Sequence, residues 1–155
     1  MVESLIRAGV LARWARMGGV LLTFCVVVGC SRFGFSEPQD RAREFVETLV
    51  TAPGESDKLR EIARLSPERQ PEDLLEGLSA RVTLDFLRAR RTQDMALNFS
   101  VKDMQKSDND HRLVTIRVGY ADGADKAAEK ELLLQVSVER NGQGDWRITH
   151  VTAGH

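Results

Sequence analysis

From residue 95 onward the apolar residues recur at every second position, whereas before residue 92 they recur every three or four, and this change of period restricts the fold more than any other feature. Met95, Leu97, Phe99 and Val101 alternate with polar residues. After the turn "SDND", Val114, Ile116, Val118 and Tyr120 do the same, and after "ADGAD" so do Leu132, Leu134, Val136 and Val138. "NGQGD" then forms a glycine-containing hairpin connection to a fourth strand, "WRITHV", residues 146 to 151. Each strand has one apolar face, and such one-sided elements are stable only when another layer covers that face.

The preceding third of the chain supplies the cover. "SEPQ", residues 36 to 39, predicts a helix start with Ser36 as cap, Pro38 in the first turn and Gln39 three residues after the cap. Ala42, Phe45, Val46, Leu49 and Val50 follow as one stripe until "APG" at 52 to 54 ends it. Leu59, Ile62, Ala63 and Leu65 predict a second helix over about 56 to 65, broken by the two prolines of "SPERQP". A third begins near Glu72 with Leu74, Leu75 and Leu78. Between Ala80 and Arg91, Val82, Leu84 and Phe86 alternate as in a strand, while Leu78, Val82, Phe86 and Ala89 recur at helical spacing. The composition of "LDFLRARR" favours the helix, with Arg88, Arg90 and Arg91 at its negative pole and Asp85 paired to Arg81 or Arg88. The fold class is therefore α+β, with N-terminal helices packed on a four-stranded antiparallel sheet.

The first thirty residues have a different character. Arg7, Arg13 and Arg16 stand against a single Glu3, and Met17 to Ser31 then carries no charge, with its apolar centre at "VLLTFCVVV". A basic region followed by a short apolar run is the layout of an export signal. About 15 residues of helix reach roughly 22 Å, short of the ~30 Å hydrocarbon core, and no cluster of Lys and Arg follows to stop transfer. An uncleaved anchor is the weaker alternative. "VVGC", Val27 to Cys30, resembles the lipobox of bacterial lipoprotein precursors. The resemblance implies cleavage between Gly29 and Cys30, a diacylglycerol thioether on Cys30, and acylation of the new amino group. Gly29 suits a protease subsite that takes only small side chains, and Phe24 before Cys25 does not. Two or three acyl chains, at ~0.8 kcal/mol per buried methylene, give stable anchoring where one is marginal. Ser31 after the cysteine, where Asp is absent, favours the outer membrane in the Gram-negative lipoproteins that the signal resembles. The expected organisation is a signal peptide over 1–29, a lipidated tether over 30–36, with Phe35 folding back as a staple, and a domain over 37–155.

Three helices followed by a curved four-stranded meander closing on "VERNGQGDWRITHVTA" resemble the NTF2-like, or cystatin-like, α+β cone found in many small exported lipoproteins. The likeness spans about residues 37 to 153. It implies a sheet that curls around the helices and can leave a pocket, used by some members for catalysis and by many for binding or assembly. Fold alone does not choose among these.

Composition narrows the function classes. In 155 residues, 42% are hydrophobic and 29% charged, and the net charge of -1 gives no basic bias toward nucleic acid. The two cysteines, Cys25 and Cys30, both precede the domain, which leaves it no disulfide framework, cysteine zinc site or catalytic thiol. His111, His150 and His155 have no metal-ligand spacing, and no phosphate loop or GxSxG motif occurs, so no metal, cofactor or catalytic residue is expected. His150 is a pocket base only if it faces inward with Trp146 and Ile148, against an ordinary hydrogen-bonded sheet residue. Tyr120 shares the face of Val118, which favours core burial over an oxyanion-donor role. The "RARR" cluster, with Lys102, Lys106 and Arg112, reads as a solvated helix end before it reads as a lipid-phosphate or acidic-partner contact. The expectation is an envelope lipoprotein, attached to the membrane through Cys30, whose domain binds a protein or small ligand without being an enzyme. The alternative is an NTF2-like enzyme or ligand carrier with a pocket near Tyr120 and His150.

Overall fold

The structure, a computed structural model, describes residues 37 to 93, 95 to 122 and 125 to 154, all within one compact unit. Gly29, Cys30, Phe35, Ser36 and His155 lie outside the described residues.

Helix α1 is Pro38–Thr51, with Pro38 in its first turn, where a missing N–H costs nothing. Its cap position is Glu37, one residue after the cap expected from the sequence, and it carries no side-chain cap bond. The predicted stripe is correct: Ala42, Phe45, Val46, Leu49 and Val50 are all buried. Helix α2, Ser56–Ala63, buries Leu59, Ile62 and Ala63 and ends on Arg64 in the left-handed region at φ 57°.

The third helical segment differs from expectation. A 3-10 turn, Pro71–Leu74, is separated from helix α3, Gly77–Thr92, by an extended Leu75 and Glu76. Leu75 bridges Val151 in parallel, and the Glu76 N–H donates to the Val151 carbonyl at 2.9 Å. Tertiary pairing thus interrupts a stretch that local pattern reads as continuous helix. Gly77, at φ 81°, turns the chain from this bridge into α3, a conformation open to glycine at little cost.

Helix is the correct reading of Ala80 to Arg91, but the buried face is not the one predicted. Ala80, Leu84 and Leu87 face the core, while Leu78 is 79% and Val82 58% exposed. The helical spacing of Leu78, Val82, Phe86 and Ala89 is real, but that stripe lies away from the sheet except at Phe86, which packs against the core.

Strands β1 Leu97–Lys106, β2 His111–Asp122, β3 Asp125–Arg140 and β4 Trp146–Ala153 form one antiparallel sheet in the order β1-β2-β3-β4. Val114, Ile116 and Val118 of β2 pair with Val136, Leu134 and Leu132 of β3. These residues form the inner face on which the helices pack, with Phe45, Leu49, Leu84 and Leu87 in the same core. The ladder is irregular between Val101 and Asp103 in β1 and between Ser137 and Val138 where β3 meets β4. Such bulges bend a strand and re-aim its side chains. No helix among the described residues is long and apolar enough to cross a membrane.

Candidate functional site

Strict alternation along β4 would put Trp146, Ile148 and His150 on one face. The ladder breaks that alternation: Val138 pairs with Ile148, but Ser137 pairs with His150, so Thr149 is the extra residue. Ile148 stays buried on the inner face and Val151 returns to it, which turns His150 outward. This single inserted residue leaves unmet the condition for a pocket base, that His150 face inward with Ile148, and makes it the hydrogen-bonded sheet residue of the other reading.

On the outer face His150 is placed by hydrogen bonds. Its Nε2 lies 2.7 Å from Ser137 Oγ, and its Nδ1 lies 3.3 Å from Thr149 Oγ1. The Thr149 hydroxyl donates to the Ser137 carbonyl at 3.2 Å. A hydroxyl has one proton to give, so in the neutral ring Thr149 Oγ1 accepts from Nδ1–H, and Nε2 in turn accepts from Ser137 Oγ–H. Nothing in the sequence flagged Ser137 or Thr149. Thr149 precedes His150 in the chain, and the bulged register brings Ser137 to the same imidazole.

Tyr120 lies elsewhere. It pairs with Leu97 on β1 and Lys130 on β3, whereas His150 pairs with Ser137, seven residues farther along β3. At ~3.3 Å per residue this separates the two rows by about 23 Å. The Tyr120 ring meets Phe86 edge-on at 5.3 Å between centroids, with the Arg90 guanidinium 4.9 Å from the Phe86 ring and 5.9 Å from Tyr120. Tyr120 and His150 therefore do not meet in one pocket. Phe45, Leu49 and Ile116, all essentially unexposed, fill the layer between helices and sheet.

The predicted basic cluster also divides. Arg88 turns inward, its Nε donating to the Leu49 carbonyl at 3.0 Å and its Nη2 lying 3.7 Å from Glu72; Glu72 takes the place expected for Asp85. Arg90 stacks on the two rings, and Arg91 is exposed at the end of α3. Lys102 pairs with Glu131 at 3.0 Å, and Arg112 lies 5.0 Å over the Trp146 ring. Lys106 lies opposite Arg112 across the β1–β2 ladder, whereas Arg88, Arg90 and Lys102 each serve a different contact. A shallow depression of about 270 Å³ lies between the 3-10 turn and α3, where Glu72, Asp73 and Asp85 face Arg81 and Arg88. Neither Tyr120 nor His150 lines it.

His111 sits at the start of β2, with Nδ1 2.8 Å from an Asp108 oxygen and Nε2 3.9 Å from Glu139. The hydrogen bond to Asp108 raises its pKa. The Asp110 N–H, and then the imidazole, lower that of Asp108. Both belong to a turn, Asp108 also accepting the backbone N–H groups of Asp110 and His111 at 2.8 Å. Among the described residues no group of three or more His, Cys, Asp or Glu side chains is placed to hold a metal.

No protein-family model matches the chain, and no curated protein matches it. Similar solved structures include an NTF-2-like protein of unknown function from Shewanella oneidensis MR-1, 17% identical, covering 77% of this chain and 100% of that one at a TM-score of 0.40. A candidate ketosteroid isomerase from Shewanella frigidimarina NCIMB 400 is 15% identical over 78% of this chain and 98% of its own, at 0.42. The intermembrane space region of the chloroplast protein ARC6 is 11% identical over 75% and 90%, at 0.33. No activity or ligand carries over at these identities. The chain is an α+β domain of helices on a four-stranded antiparallel meander, with NTF2-like proteins among its structural neighbours.

Proposed function

We propose that this is an exported lipoprotein, held in the cell envelope by acyl chains on Cys30, whose α+β domain works as a binding or assembly module. The observation that carries the reading is the uncharged run from Met17 to Ser31, preceded by three arginines and containing "VVGC" near its end. It is too short to span a bilayer comfortably, and Gly29 stands where a signal peptidase needs a small residue. The domain's interior adds a second consideration. Phe45, Leu49 and Ile116 are buried between the helices and the sheet, which supports recognition at the surface of the domain rather than in that layer.

The test is metabolic labelling with a clickable palmitate analogue in a bacterium that processes lipoproteins. The wild-type chain and Cys25→Ser are expected to take up label and sediment with membranes, while Cys30→Ser is unlabelled and keeps its signal. Labelling of Cys30→Ser at the wild-type level would overturn the assignment.

A further inference from the structure

The hydrogen bonds around His150 set its tautomer, and the tautomer has a chemical consequence. With the Thr149 hydroxyl proton committed to the Ser137 carbonyl and Nδ1–H directed to Thr149 Oγ1, the Nε2 lone pair points at the Ser137 hydroxyl 2.7 Å away. A nucleophile in contact with a base, and a base oriented by a third group, is the arrangement that activates serine for acyl transfer. The bulge at Thr149 builds it, as bulges do where a side chain must be re-aimed. Ser137 and His150 are each partly exposed, so a carbonyl carbon can reach the hydroxyl.

We infer that Ser137 is an activated nucleophile that accepts an acyl group from small esters with good leaving groups, with His150 as its general base and Thr149 as a positioning residue. Ser137 Oγ bonds to the ester carbonyl carbon as its proton passes to His150 Nε2. The bond from that carbon to the leaving oxygen then breaks, and the departing alcohol takes the proton from Nε2. Water releases the acyl group by the same path, its proton going to Nε2 and the Nε2 proton returning to Ser137 Oγ. Small acyl groups fit best, because the pair lies on a sheet face where Leu113 is the neighbour across the ladder, and neither Ser137 nor His150 lines the depression beside α3. This inference goes beyond the binding-module reading and does not depend on the lipid anchor.

The test uses the detergent-solubilised full chain with p-nitrophenyl acetate, reading nitrophenolate release and locating the acetyl group by peptide mass. The acetyl group is expected on Ser137 of the wild-type chain, a measurement that needs no variant to fold. His150→Gln is expected to slow acylation at Ser137 by about 100-fold, within the range of a positioned general base. Thr149→Val is expected to slow it roughly tenfold and Thr149→Ser to restore it, since only a hydroxyl fixes the tautomer. Acetylation confined to lysines, or an unchanged rate at Ser137 in His150→Gln, would overturn the inference.

Discussion

At the scale of single residues, the side chains that matter most are those whose neighbours leave them no alternative. Phe45 has no exposed surface and sits among Leu49, Leu84 and the β2 valines, so Phe45→Ala is expected to cost about 3–5 kcal/mol, measured by urea denaturation. His111 shows a residue whose role varies with pH. Its pKa lies above the ordinary 6.5 because it is paired to Asp108, so its stabilising effect is complete below 6.5 and is lost as pH rises through the higher folded value. Asp108 has the opposite sign: its pKa lies below 3.8, and its contribution is lost as pH falls through that lower value. Glu139, 3.9 Å from the ring, and Asp110 both favour the charged imidazole. The stability difference between the wild-type chain and His111→Gln should therefore be largest between these two values and shrink on the alkaline side. A difference that grows as pH rises above 6.5 would contradict this assignment.

At the scale of elements, arginines tie the helices together. Arg41 Nη1 donates to the Ile62 carbonyl at the end of α2 at 2.6 Å, and burial, then the charge of Arg64, lower its pKa. Arg88 joins α3 to the Leu49 carbonyl of α1. Arg88→Ala leaves that carbonyl without its charged donor and is expected to cost about 2 kcal/mol in urea denaturation. Arg64 holds a left-handed conformation at the end of α2, so Arg64→Gly should stabilise by about 1 kcal/mol, seen as a higher urea midpoint; a lower midpoint would show that the side chain offsets its backbone strain. The period of apolar residues was enough to place the stripes of α1 and α2 and strands β1 to β3, because period is a local property, while the hairpin residues of "NGQGD" located β4. It was not enough for α3. Two apolar stripes share that helix, and which one is buried depends on how α1 and β4 dock against it.

At the scale of the whole molecule, the sheet keeps Tyr120 and His150 in rows about 23 Å apart, and residues so separated should act independently. Tyr120→Phe and His150→Gln are expected to be additive in stability within about 0.5 kcal/mol; a coupling above about 1 kcal/mol would place them in one network. The sequence by itself determined the two-layer α+β class and the expectation for Cys30. Hydrophobic period and short signal motifs are written in neighbouring residues, and their physics needs no distant partner. Tertiary structure alone decided the break at Leu75 and Glu76, the buried face of α3 and the outward turn of His150. Each depends on register between segments far apart in the chain, and one extra residue opposite Ser137 is enough to move a side chain from one face of the sheet to the other.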